Sequence, residues 1–273
     1  MNYRHAFHAG NFADVVKHIA LLFCIDYLQK KDGGLCILDA HSGAGRYNLM
    51  SDEAARTGEW EDGIGRLIAE RGLAPELQLY LSAVKADVAS GTYPGSPLLI
   101  ARCLRPQDRL VANELHPATC DALVETLHPY ARASVRRMDA YQFIRATIPP
   151  PERRGLVLID PPFEQKDEFA TLARQTREWM KRWETGVYLI WYPIKRHLAV
   201  DLLRNAIRDM ARPETWLAEA YVRPHTEEGV LTGCGLALVN APYTVPEQMA
   251  AALQALTPIL GFVETRVVRT SSL

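Results

Sequence analysis

Four short strand-like stretches of this chain each run into a carboxylate: LCILD into Asp39, RLVANE into Glu114, SVRRMD into Asp139 and GLVLID into Asp160. A fifth, GVYLIWY, ends at Tyr192. Between them lie stretches with helical apolar spacing, among them PATCDALVETL, AYQFIRAT and EFATLARQTREWMKRW. Strands that alternate with helices predict a mostly parallel, doubly wound α/β sheet covered on both faces. Such sheets bind ligands beyond the carboxyl ends of their strands, so acids repeated at that edge carry information. Asp and Glu also favour turns and helix caps, which accounts for one or two of the four more easily than for all. Later stretches, TWLAEAYVR, CGLALVN and GFVETRVVR, read as further strands, some antiparallel.

The first helix opens at Asn11, a capping residue, with Asp14 three positions on. Val15, Val16, Ile19, Leu22, Phe23 and Tyr27 keep helical spacing, and Gly33-Gly34 is the expected stop. At 273 residues, 48% hydrophobic and 23% charged, the chain suits one large domain or a domain with an insert. A net charge of −1 announces no nucleic-acid partner. Five scattered cysteines without a CxxC pair support neither a zinc knuckle nor a disulfide framework. No signal-peptide core or bilayer-spanning run is present, so a cytoplasmic protein is expected.

LDAHSGAGRY, residues 38–47, places Gly43 and Gly45 just past the first strand, where a ligand can come close to the backbone. The spacing matches neither GxGxxG nor a P-loop. A strand-end Asp followed by G-x-G suits an adenosine compound without phosphates, chiefly S-adenosylmethionine. Glu114 can accept from both ribose hydroxyls and Asp139 from the adenine amine, although each can equally cap a helix. The gap from Gly45 to Glu114 is far longer than the usual 20 or so residues. Residues 47–93, with the periodic ELQLYLSAVKADV, read as an inserted helical subdomain.

LVLIDPPFEQ, residues 156–165, is the sharpest motif. Prolines fix φ while leaving carbonyls as acceptors. Asp160 and the Pro161 corner can accept from a planar amine and hold it in line with a methyl donor, with Phe163 stacked on the base for roughly 1–3 kcal/mol. Holding two reactants in line can supply on the order of 7–11 kcal/mol. The bland alternative is a Pro-Pro turn whose Asp only caps the next helix. NAPY, Asn240–Tyr243, imitates the motif with one proline lost and follows a late strand, so it reads as structural.

DPPF beside LDAHSGAG looks like an S-adenosylmethionine-dependent N6-adenine methyltransferase. With YRHAFHAGNFADVVKH, RTGEW, YPGSPL, NELHP and WYPI in the same order, the whole chain resembles the RlmJ family, which methylates one adenine of 23S ribosomal RNA. The resemblance implies a Rossmann-like class I methyltransferase domain, residues 1–46 and 94–273, around the 47–93 insert, with residues 1–10 folding over the cofactor. Carried over by position, it implies that His18, His41, Ser96, Glu114, Asp139 and Asp160 contact S-adenosylmethionine, beside Gly43. It further implies that Asp160 is the catalytic acceptor and that Tyr3 meets the RNA. Phe163 stands where Tyr is common, losing a hydroxyl but no stacking face. Ala140 stands where the family can have Gly, which weakens a backbone contact otherwise assigned there.

His5, His8 and His18 lack the partners of a metal site, and no metal is expected. Arg46, Arg56, Arg136, Arg137, Arg153, Arg154, Lys195 and Arg196 could meet phosphates at the ligand edge, against the alternative of scattered surface charge. A monomer is the working expectation. The other readings are an adenine methyltransferase acting on DNA, one acting on another planar amine such as a glutamine side chain, and a non-catalytic RNA-binding module. A nicotinamide dehydrogenase is disfavoured by the missing GxGxxG.

Overall fold

The computed structural model describes residues 5–165, 167–195, 197–210, 212, 214–224 and 230–272. Tyr3 and Arg196 lie outside the described residues. A single turn at His5–Phe7 leads into helix α1 (Phe12–Gln29). Asn11 Oδ1 accepts the Asp14 N–H at 3.0 Å, and Asp14 Oδ2 accepts the Gly10 N–H at 2.9 Å, so the first turn is capped from both directions. The helix ends before the glycine pair because two arginines collect its last carbonyls. Arg105 donates to Gln29 O at 2.8 Å and Arg154 to Leu28 O at 2.7 Å.

Strand β1 (Cys36–Asp39) is followed by β2 (Arg46–Asn48), α2 (Asp52–Thr57), α3 (Arg66–Ala69), α4 (Gln78–Ala89) and β3 (Thr92–Pro94). Then come α5 (Ser96–Cys103), β4 (Arg109–Asn113), α6 (Pro117–Leu127), β5 (Ala133–Arg136) and α7 (Ala140–Thr147). Next are β6 (Gly155–Ile159), α8 (Glu168–Arg182), β7 (Val187–Ile194) and α9 (His197–Asp209). The chain closes with β8 (Thr215–Tyr221), β9 (Gly233–Val239), α10 (Val245–Leu260) and β10 (Glu264–Arg269).

Eight strands make one sheet in the order β10-β8-β9-β7-β6-β1-β4-β5. The run from β7 to β5 is parallel; β9, β8 and β10 pair antiparallel. From β1 the chain moves outward through β4 to β5, then returns to β6 on the other side of β1. That reversal opens a crevice at the carboxyl ends of β1 and β6, where doubly wound sheets bind ligands. Both faces are covered. Residues of α1, α5, α6 and α10 build one buried cluster, and residues of α7, α8 and α9 build the other.

Residues 47–93 do not extend the sheet. Their ends pair as a two-stranded ribbon, Tyr47 opposite Tyr93, and α4 packs on α1. Leu67, Tyr80, Val84 and Tyr93 are buried in the same cluster as α1.

Two groups singled out in the sequence fall on the far rim. Strand β9 is antiparallel and ends with Val239 opposite Tyr188, so NAPY lies at the start of β7, away from Asp160. There Asn240 adopts φ 54° and donates to Glu184 O and Gly186 O, both at 2.7 Å, a clamp on the turn entering β7. Arg153 and Arg154 precede β6, so they too sit on the rim opposite the crevice. Arg154 serves α1, and grouping these two with a ligand-edge basic cluster is corrected accordingly.

Candidate active site

Because β1 and β6 lie side by side with Asp39 opposite Leu158, the turn after β1 and the corner after β6 emerge together. Both line one cavity of about 730 Å³, which His18, His41, Gly43, Ser96, Glu114, Asp139, Ala140 and Asp160 share. A smaller cavity of about 100 Å³ adjoins it at Asp160, against Pro161, Phe163 and Trp191.

The strand ends are stitched together by Asn113, the last residue of β4. Its Nδ2 donates to Ala40 O at 3.1 Å and to Met138 O at 3.0 Å, tying the ends of β1, β4 and β5. Next to it, Glu114 accepts the Gly43 N–H at 3.0 Å and the His116 N–H at 2.8 Å, one on each carboxylate oxygen. Each oxygen keeps a second lone pair for a ligand. Asp139 Oδ1 accepts the Gln142 N–H at 3.0 Å and caps α7, so the capping role weighed for it is real; the residue still faces the cavity.

The glycines after β1 make room for protein as well as ligand. Gly43 adopts φ +60°, and a Cβ there would sit 2.0 Å from the Tyr47 hydroxyl. A Cβ at Gly45 would crowd Leu123 and Thr126 of α6. Beyond leaving room for a ligand, these positions must be small because Tyr47 and α6 fill the space beside them.

At the corner, the Asp160 N–H donates to His41 Nδ1 at 3.3 Å. Asp160 Oδ2 meets Lys17 Nζ at 2.5 Å, and the same ammonium lies 2.8 Å from Asp14 Oδ1. Asp14 also receives His5 Nε2 at 3.0 Å. Burial alone would lower the Lys17 ammonium, but the carboxylates of Asp14 and Asp160 outweigh it and hold it well above the usual lysine range. Asp14 is likewise held below its usual range, because His5 and Lys17 overcome its burial. Burial drives His18 down to about 3 and His41 to about 4, so both rings are neutral at pH 7. Burial raises Asp39 to about 6 against the hydrogen bond that Ser96 Oγ donates to it at 2.7 Å.

Phe163 adopts φ 51° and packs its ring on Phe169, centroids 4.6 Å apart, and edge-on to Trp191 at 5.9 Å. The sequence reading missed Lys17, Asn113 and Trp191. A signal existed for the first: Asp14 and Lys17 lie three apart on one helix face. Nothing local pointed to Asp160, 143 residues away, as the second partner. Among the described residues, no group of three or more His, Cys, Asp or Glu is placed to hold a metal ion.

A sheet of this order, opening its switch point onto one adenosine-sized cavity without a dinucleotide fingerprint, places the chain among the Rossmann-like methyltransferases. Residues 32–269 match the family model described as RsmJ: Ribosomal RNA large subunit methyltransferase D, RlmJ. Ribosomal RNA large subunit methyltransferase J of Haemophilus influenzae is 38% identical over 264 residues, covering 95% of this chain and 94% of that one. The Escherichia coli protein of the same name is 39% identical over 257 residues, 91% of this chain and 90% of that one. A crystal structure of protein LPL1258 from Legionella pneumophila superposes with a TM-score of 0.87 at 34% identity, covering 96% and 97% of the two chains. The chain belongs to the RlmJ family of ribosomal RNA large subunit methyltransferases.

Proposed function

We propose that this enzyme transfers a methyl group from S-adenosylmethionine to N6 of one adenine in 23S ribosomal RNA. The observation that carries this reading is the meeting of the Gly43 turn and the Asp160 corner at one cavity, with a small aromatic-walled recess beside Asp160.

The residues present fit the cofactor. One nitrogen of a cavity-lining residue, His18 Nε2, and one oxygen at the end of β1, Asp39 Oδ1, are buried without a hydrogen-bond partner among the described residues. An amino-acid end with both an amine and a carboxylate supplies partners for such atoms. Glu114, with a lone pair left on each oxygen, suits the ribose hydroxyls. Asp139 and Ala140, at the start of α7, suit the adenine edge. S-adenosylmethionine, when bound, supplies an electrophilic methyl on a cationic sulfur.

The acceptor chemistry falls to the corner after β6. An exocyclic adenine amine is a weak nucleophile because its lone pair is delocalised into the ring. Asp160, accepting one N–H, and the rigid Pro161 corner would orient the amine and favour its pyramidal form. Phe163 and Trp191 would wall the base. Lys17 holds the Asp160 carboxylate in place from the side of α1. As the N6–methyl bond forms and the sulfur–methyl bond breaks, with neutral S-adenosylhomocysteine as the leaving group, the nitrogen would become a cationic, acidic centre and its proton would pass to Asp160 or to water. On this reading residues 1–46 and 94–273 form the methyltransferase domain and 47–93 is a helical subdomain. The enzyme acts as a cytoplasmic monomer without a metal.

Asp160→Asn is the cleanest test, since Lys17 retains Asp14 and the side chain keeps its size. Calorimetry should show S-adenosylhomocysteine binding as in the parent, NAD binding neither, and methyl transfer falling about 100-fold or more. Undiminished turnover would reduce Asp160 to a structural partner of Lys17.

A further inference from the structure

His18 stands nearly two turns into α1, only 1% exposed, yet it lines the large cavity. One nitrogen, Nδ1, is 2.8 Å from the Tyr93 hydroxyl, and that hydroxyl is 3.0 Å from the hydroxyl of Tyr80. The other nitrogen, Nε2, is buried and has no partner among the described residues. Tyr80 and Tyr93 are themselves almost wholly enclosed, at 1% and 0% exposure. Both come from residues 47–93, outside the sheet.

A neutral imidazole carries one proton, so whichever nitrogen accepts fixes the other as donor. Each tyrosine also has one proton to give, and the chain can be ordered in two directions. A phenol hydroxyl donates far better than it accepts, and a bare imidazole nitrogen is the strongest acceptor in the chain. The favoured order therefore runs from Tyr80 to Tyr93 to His18 Nδ1. The ring's single proton is then on Nε2, the nitrogen left without a partner in a residue that lines the cavity. Burial holds the ring near a pKa of about 3, so no second proton blurs this order.

We propose that Tyr93, backed by Tyr80, is a positioning residue for cofactor binding: by occupying His18 Nδ1 it reserves the Nε2 proton for the carboxylate at the amino-acid end of S-adenosylmethionine. The proposal rests on the S-adenosylmethionine reading of the cavity. A neutral ring with its proton on Nε2 can donate to a carboxylate but cannot accept from an ammonium, which is why the carboxylate is the end assigned to it. The ring presents a hydrogen-bond donor to an anion without burying a cation. The insert, whose Tyr47, Asn48, Ser51 and Glu53 line the cavity directly, thereby also acts on the cofactor through two buried hydroxyls.

Two measurements test it. In 15N-histidine-labelled protein without ligand, long-range 1H–15N correlation should show His18 as the Nε2–H form, and Tyr93→Phe should shift it toward a mixture. A wild-type ring protonated on Nδ1 would overturn the proposal outright. In calorimetry, Tyr93→Phe should weaken S-adenosylhomocysteine about tenfold while leaving 5′-methylthioadenosine, which lacks the amino-acid end, unchanged. Equal loss for both ligands would mean a general structural role, and no loss for either would also sink the idea. Tyr80→Phe keeps the donor on Tyr93 and should retain the Nε2–H form with a smaller loss of affinity, so the assignment stays testable if Tyr93→Phe folds poorly. Should the wild type bind no S-adenosylhomocysteine at all, the cofactor reading itself fails, a result distinct from a wrong tautomer.

Discussion

Lys17 carries a full charge inside the protein because two carboxylates meet it there, and that triad sets how the corner after β6 can behave. A buried ammonium without such partners would give up its proton. Two of the cavity's histidines, His18 and His41, follow the opposite rule. Held at about 3 and about 4 by burial, His18 and His41 have folded pKa values below the ordinary 6.5. The unfolded chain therefore binds more protons through that window, and the stability these rings contribute, complete above about pH 6.5, is lost as pH falls toward 4 and then 3. Asp39, raised to about 6, works the other way: its contribution is present below about pH 4 and lost as pH rises through 6. Urea denaturation at pH 7 and pH 4.5 should show a smaller acid-induced loss for His41→Asn than for the parent. Equal losses would mean that His41 is not neutral in the folded protein. At this scale the sequence was partly legible. That Glu114, Asp139 and Asp160 reach the cavity edge was readable because strand-end position is a local property. Lys17 was not, because its meaning depends on a partner brought near only by the packing of α1 over β6.

Elements explain where charge can be buried and which rim a motif reaches. In the antiparallel half of the sheet, Glu219 of β8 is wholly buried. It accepts from Tyr192 at 2.6 Å, Tyr221 at 2.7 Å and Arg204 at 2.8 Å, and also meets Arg266 of β10. Burial opposes its charge, but Arg204 and the tyrosine hydrogen bonds outweigh that and keep its pKa lowered. Removing one partner of a buried ion pair leaves the others unmatched, so Glu219→Ala should cost about 3–5 kcal/mol of unfolding free energy. Equilibrium denaturation checks this; a cost below about 1 kcal/mol would mean that water replaces the carboxylate. The alternation of strands and helices was readable from period alone. Strand direction in the last three was not, and NAPY shows the consequence. A motif at a strand end faces the cavity only if the strand runs parallel, and a residue before a strand faces away.

At the scale of the whole molecule, one reversal in strand order places the turn after β1 and the corner after β6 on the same crevice. The long gap after Gly45 announced an insertion, but its packing on α1 and the tyrosine pair that reaches His18 could not be read from spacing. The family comparison fixes the class of enzyme, and the cavity geometry argues for the donor, the acceptor atom and the residues between them. The most direct check is to incubate the purified enzyme with S-adenosylmethionine carrying a trideuterated methyl and with 23S ribosomal RNA that lacks the modification, then map the digest by mass spectrometry. The expected result is one trideuterated methyl on N6 of a single adenine, lost with Asp160→Asn. Label on a ribose, on another base, or nowhere in the RNA would contradict the account.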